Sequence, residues 1–241
     1  LVKLSGLIVK DEKEEDEDND VVETVRHLDE RILETPSFAI ENAVSEVSHM
    51  GNVTYRNTKM AMEAVLEGDD KKINQVIENE KAIDKMAKII SEYLVKLNNM
   101  PLSESQHILI NNLFYTVSDI ERMGDHAENI AALARYKLDN NISMSESAIK
   151  ELDGVMEIVT NGFVYAIKAR ADQSIEAARK TLEYEELVDT VEEELREKHM
   201  NRLSSGECKP TSGVVYLDVL SNLERISDHA ENIAGYIIEE V

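Results

Sequence analysis

One twelve-residue stretch occurs twice in this chain. Ile120-Glu121-Arg122-Met123-Gly124-Asp125-His126-Ala127-Glu128-Asn129-Ile130-Ala131 returns as Leu223-Glu224-Arg225-Ile226-Ser227-Asp228-His229-Ala230-Glu231-Asn232-Ile233-Ala234, at an offset of 103 (224 − 121). A weaker echo precedes each copy: Glu80 to Asp84 corresponds to Glu185 to Asp189, at an offset of 105 (189 − 84). Two motifs in one order at nearly one spacing predict two structural repeats of about a hundred residues each.

Each repeat carries two Glu-x-x-x-Asp pairs: Glu80/Asp84 and Glu121/Asp125, then Glu185/Asp189 and Glu224/Asp228. On a helix, residues four apart share a face, so each pair sets two carboxylates side by side. Like charges so placed cost a few tenths of a kcal/mol per pair. A single pair in an acidic chain reads as a solvated face. Four pairs at matching positions point instead to a cation or a basic partner, and a metal is the better candidate. Arg122 and Arg225 are sequence neighbours of the acids but do not face them.

Helical projection sets Val117, Ile120, Ala127, Ala131 and Ala134 in one apolar stripe with Gly124 inside it. Glu121 and Asp125 lie on its flank, with Glu128 close by. These acids are expected at a helix–helix seam, where an acidic pair from a neighbouring helix can join them. Their oxygens suit hard or borderline cations, and several together suit a multinuclear site. The expectation is two equivalent metal sites, one per repeat.

Composition supports long helices. Nine Gly and three Pro in 241 residues leave few turns, and Trp is absent. The predicted fold is all-α. A net charge of −23 argues against nucleic acid and favours cations or basic partner surfaces. The lone Cys208 excludes an internal disulfide and fits a reducing compartment. No apolar run reaches the roughly eighteen residues of a membrane span.

The chain begins at Leu1, not Met, and is read as a piece of something longer. Residues 1–20 divide into an apolar lead up to Lys10, which could end a membrane helix, and an acidic stretch up to Asp20 expected to be a disordered linker. Residues 21–35 form a lead-in segment, followed by repeats over 36–141 and 142–241. Pro36 opens a first helix that Gly68 stops, and Asp69 or Asp70 caps a second that ends at Asn98 to Pro101. Ser103 with Gln106 is a capping box for a third, ending at Asp139 to Asn141. In the second repeat Ser143 or Ser145 opens a helix, Asp172 caps the next, and Pro210 to Gly213 starts the last. Two up-down-up units of three helices predict an elongated six-helix bundle.

Other spacings point elsewhere. Glu46/His49 and Glu104/His107 have the Glu-x-x-His spacing of ferritin-like di-iron bundles, so metal storage or redox is an alternative class. Neither recurs in the second repeat, and Glu104 fits a first-turn acid favoured by the helix dipole. His126 and His229 turn about 100° from the motif Asp and read as supporting or surface residues rather than ligands. Asn129 and Asn232 are candidate orienters of the carboxylates. With no nucleophile–base set and no glycine-rich phosphate loop, the chain is not expected to be an enzyme.

The motif Glu-Arg-Met-Gly-Asp-His-Ala-Glu-Asn-Ile and its twin Glu-Arg-Ile-Ser-Asp-His-Ala-Glu-Asn-Ile resemble the signature of the PhoU family of phosphate-signalling proteins. The resemblance runs from about Pro36 to Val241 and implies two three-helix repeats whose acidic motifs bind multinuclear metal clusters. Glu80, Asp84, Glu121, Asp125, Glu185, Asp189, Glu224 and Asp228 take the metal role by this resemblance, with iron, zinc, manganese or magnesium as the ion. Leu28 to Pro36 more narrowly resembles the junction before the cytoplasmic PhoU-like domain of bacterial sodium/phosphate cotransporters. This implies a regulatory domain tethered at the inner face of the cell membrane, acting on the transporter part of the same chain. The alternative is a free-standing regulator of a phosphate-transport complex. A homodimer is open.

Overall fold

A computed structural model describes residues 28–240. The expectations for residues 1–27, the apolar lead and acidic linker among them, lie outside the described residues. A short 3-10 turn, Glu30–Glu34, is capped by Asp29, whose side chain accepts from the Arg31 backbone N–H at 2.9 Å. Leu28, Ile32 and Leu33 pack against the core, so this part of the lead-in segment is docked.

Six helices follow: α1 (Pro36–Glu67), α2 (Asp70–Asn98), α3 (Glu104–Asp139), α4 (Glu146–Asp172), α5 (Ile175–Ser204) and α6 (Pro210–Glu239). The all-α expectation holds, with no strand among the described residues. Local chemistry fixes the boundaries. Pro36 occupies the first turn of α1, Asp69 caps α2, and Ser103 and Gln106 form the reciprocal capping box of α3. Ser145 caps α4. The expected cap at Asp172 is wrong by two residues: α4 runs through Asp172, and Ser174 accepts from the Ala177 N–H to open α5. Gln173 in the left-handed conformation makes that turn.

Helices α1, α2 and α3 pack as one bundle and α4, α5 and α6 as another, and the two join through α1 against α4 and α3 against α6. The stripe Val117, Ile120, Ala127, Ala131 and Ala134 of α3 is buried, and one apolar core runs through both bundles. Each buried Ile or Leu contributes about 1.5–3 kcal/mol by leaving water. Helices α1 and α4 approach closely at Gly51, where a Cβ would stand 2.2 Å from Ile167 Cδ1.

Two polar clamps cross helices. Arg170 of α4 is fully buried and donates to Glu240 Oε1 and Oε2 at 2.7 and 2.9 Å. Asn112 of α3 donates to the same Glu240 at 3.2 Å and to the Tyr236 carbonyl at 3.3 Å, tying α3, α4 and the end of α6. In the second bundle Arg202 forks onto Glu151 at 2.8 and 2.7 Å, and the Tyr216 hydroxyl donates to Glu151 at 3.0 Å. Among the described residues, no helix is long and apolar enough to cross a membrane.

Candidate metal centres

Short hairpins set α2 against α3 and α5 against α6, which turns the weak motif of each repeat toward the strong one. In the first repeat Asp84, Asp125, Glu128 and Glu121 lie near enough to Glu80 of α2 for their charges to act on it. Burial, then repulsion from those four acids, pushes the Glu80 carboxyl up to about 8. Glu80 is only 4% exposed, and neither of its oxygens has a hydrogen-bond partner among the described residues. A buried carboxylate without partners costs a few kcal/mol unless it is protonated or meets a cation. Burial also raises Glu121, helped by Asp125 and Asp84.

The second repeat builds the counterpart from Glu185, Asp189 and Asp228, each offering an oxygen within 4.8 Å of the others. Burial, then Glu231 and Asp189, raises Glu185 to about 7. Burial likewise raises Glu224, Asp228 and Glu231, with repulsion from neighbouring acids of the cluster adding to each. The first-repeat acids Glu80, Asp84, Glu121 and Asp125 repel one another across the α2–α3 seam, and Glu185, Asp189, Glu224 and Asp228 do so across the α5–α6 seam. Among the described residues, however, only Glu185, Asp189 and Asp228 bring ligand oxygens within 4.8 Å of one another. Glu128, placed beside Glu121 and Asp125 by helical projection, acts on Glu80, and the structure adds Glu231 and, beside Glu224, Glu192. The repeated His-Ala-Glu tripeptide was the signal for Glu231; Glu192 has none.

The two clusters are not equivalent, against the sequence expectation. Gly124 stands where the second repeat has Ser227 (227 − 124 = 103). A Cβ on Gly124 would lie 2.7 and 2.8 Å from the Glu80 carboxylate oxygens, so glycine makes the cradle into which Glu80 sinks. Ser227 is itself buried, and Glu185 stays partly exposed. The buried, unpartnered Glu80 oxygens, repelled by four further carboxylates, call for a proton or a hard cation. Gly124→Ala is expected to weaken metal binding in the first repeat by about tenfold or more, the size of a supporting-residue effect. Helix propensity should stabilise that variant slightly, by up to about 1 kcal/mol. Ser227→Ala should leave both values nearly unchanged. Calorimetric titration of metal-free protein reads the difference, and equal effects of the two variants would refute the asymmetry.

The histidines meet between the repeats. His126 and His229 stack with ring centroids 5.6 Å apart. His126 Nδ1 pairs with Asn222 Oδ1 at 2.9 Å and His229 Nδ1 with Asp119 Oδ1 at 2.8 Å. Asp119 is buried and also accepts from Asn232 at 3.1 Å and the Tyr236 hydroxyl at 2.8 Å. Asn232 thus orients Asp119, not a motif carboxylate. Asp119 escaped the sequence reading because its repeat partner is Asn222 (222 − 119 = 103), which hides the correspondence. The Glu-x-x-His signal is local at its second site: Glu104 is exposed in the first turn of α3, and His107 Nδ1 pairs with Asn98 at 2.8 Å.

The model of the PhoU domain matches residues 47–134 and 152–237, one match per repeat. A phosphate-specific transport system accessory protein PhoU homolog of Thermotoga maritima is 24% identical over 196 residues, covering 80% of this chain and 83% of that protein. The crystal structure of PhoU from Pseudomonas aeruginosa superposes with a TM-score of 0.78 at 25% identity, covering 83% of this chain and 95% of that one. A putative inorganic phosphate export protein, YjbB of Escherichia coli K12, is 22% identical and matches all of this chain over 44% of its own length. With the family model matched twice, on the two bundles that carry the duplicated acidic motif, this chain belongs to the PhoU family.

Proposed function

We propose that this chain is a metal-dependent regulator of phosphate transport that works with a membrane transport system and is not an enzyme. One observation carries the metal part: the Glu80 carboxylate is buried without a partner, in a glycine cradle facing four more acids. Bound cations would supply positive charge to Glu80, Asp84, Glu121, Asp125 and Glu128 in one repeat, and to Glu185, Asp189, Glu224, Asp228 and Glu231 in the other. The proton held on Glu80 leaves when metal arrives, and repulsion across the α2–α3 and α5–α6 seams turns into attraction. That change in charge and rigidity gives the bundle two states that a transporter could distinguish.

The accessory role rests on the family and on relatives described as accessory to a phosphate-specific transport system. The chain covers 83% of the Thermotoga maritima relative, which favours a free-standing regulator. A second reading, a regulatory domain joined to a membrane phosphate carrier, is favoured by the match to YjbB, over half of which lies outside it. Neutralising Glu121, Asp125, Glu224 and Asp228 together to their amides should abolish the phosphate dependence of uptake in cells and leave the maximal transport rate intact. Uptake of radiolabelled phosphate at low and high external phosphate measures both. An unaltered response in the fourfold variant would reduce the metals to a structural role.

A further inference from the structure

A crevice of about 720 Å³ runs between α3 and α6 where the repeats meet, and His229 and Asn232 of α6 line it. Both side chains reach the same residue of α3. Asp119 is buried, and its Oδ1 accepts from His229 Nδ1 at 2.8 Å and from Asn232 Nδ2 at 3.1 Å. Its Oδ2 accepts from the Tyr236 hydroxyl at 2.8 Å. A carboxylate only accepts, so Nδ1 is the donor whatever charge the ring carries. Asp119 belongs to the first repeat, two residues before Glu121, yet all three donors belong to the second.

The spacing gives this anchor a direction. His229 follows Asp228 by one residue, Asn232 follows Glu231 by one, and Tyr236 lies four further on. The donors thus form one stripe of α6, and Asp228 and Glu231 form another about 100° away. On that second stripe Asp228 offers an oxygen within 4.8 Å of Glu185 and Asp189 of α5, and Glu231 acts on Glu185. Gripping one stripe fixes the rotation of α6 and so the aim of the other. A turn of about 20° carries a carboxylate about 6 Å from the helix axis through about 2 Å, against a tolerance of about 0.5 Å for a metal constellation. Beside the cluster the buried side of α6 holds Ser227, Ala230 and Ala234, small side chains whose low ridges resist such a turn weakly. In the first repeat the counterpart of Asp119 is Asn222 (222 − 119 = 103), whose amide oxygen meets His126 at 2.9 Å. There the Gly124 cradle seats Glu80 instead.

We infer that Asp119 is a positioning residue for the second-repeat metal cluster, reaching across from the first repeat to fix the rotation of α6 and the aim of Asp228 and Glu231. This role rests on the proposed metal binding. In sequence Asp119 stands beside Glu121 of one cluster; in the fold it serves the other.

The test is calorimetric titration of metal-free chain with manganese(II) in two backgrounds. Asp125→Asn disables the first cluster and leaves the second to be read; Asp228→Asn does the reverse. Asp119→Ala should weaken binding about tenfold or more in the Asp125→Asn background and leave it unchanged in the Asp228→Asn background. Asp119→Asn keeps an oxygen for His229 and Asn232 and an amide for Tyr236, and should restore most of the loss. A role in stability alone would move the melting temperature and not this split between clusters. Should Asp119→Ala melt below the titration temperature, Asn232→Ala, at an exposed position, should still lose about threefold at the second cluster. A loss that falls on the first cluster, or equally on both, overturns the positioning role. So does an unchanged second-cluster affinity, or an Asp125→Asn chain that binds no metal while Asp228→Asn still does. An unaltered chain that takes up neither manganese, iron, zinc nor magnesium overturns the proposed function itself, and the positioning role with it.

Discussion

Saturating both acidic clusters with metal should raise the melting temperature of this chain by more than about 10 °C. A ligand bound only by the native state, at a thousand times its dissociation constant, stabilises by about 4 kcal/mol per site. For a chain of this size each kcal/mol is worth about 2–4 °C. Asp125→Asn with Asp228→Asn removes one acid from each cluster and should erase most of the rise, with bound metal falling in parallel by elemental analysis. The metal-free protein should behave in the opposite sense to an ordinary acidic domain. Glu80 ionises near its ordinary 4.5 in the unfolded chain and near 8 in the folded one, and Glu185 near 7 when folded. Between those values the native state holds protons that the unfolded state has released. Stability is therefore fully present below about pH 4.5 and is lost as pH rises through 7 and 8. Glu80→Gln should flatten most of that decline, and metal should abolish it. A metal-free melting temperature that climbs from about pH 5 to 8 would contradict the burial of Glu80.

The second large effect lies far from the acids. Arg170→Ala should cost about 3–5 kcal/mol, because the Glu240 carboxylate, 11% exposed, is left without its bidentate partner. That corresponds to a fall of roughly 10 °C or more in melting temperature. Among the described residues Asn112 remains on Glu240, and its amide hydrogen bond cannot replace a guanidinium. The double change Arg170→Met with Glu240→Leu should cost less than either single truncation, since no charge then stays buried alone. Thermal melts of Arg170→Met, Glu240→Leu and the double variant make a cycle. Additive losses would mean that Arg170 acts through its packing and not through the pair.

Much of the fold could be read from the chain without coordinates. Caps are local hydrogen-bonding decisions made within three residues, so the sequence shows Ser103 outright and narrows two others to Asp69 or Asp70 and Ser143 or Ser145, of which Asp69 and Ser145 form the caps. The miss at Asp172 has the same origin: Asp172 and Ser174 are both good caps, and only the left-handed turn at Gln173 selects the second. The apolar stripe of α3 and the eight acids are legible because helical period converts spacing directly into a face. Membership of each acid in a cluster followed from hairpin neighbourhood, which short connections dictate.

What spacing cannot express is depth and encounter between distant helices. Glu80 and Glu185 occupy matching positions, yet one is buried in a cradle and the other is partly exposed, because Gly124 and Ser227 differ by the atoms that fill the space. Asp119 is an unremarked acid in the chain until packing brings His229, Asn232 and Tyr236 onto it from more than a hundred residues away. Arg170 and Glu240 find each other across 70 residues by the same route. The sequence by itself determined the helices, the capping box at Ser103, the duplication and the two acidic faces, since each is a local or periodic property. Only the tertiary structure decided which carboxylate is desolvated, which histidines stack and what lines the crevice between repeats, since these depend on how closely two helix surfaces approach.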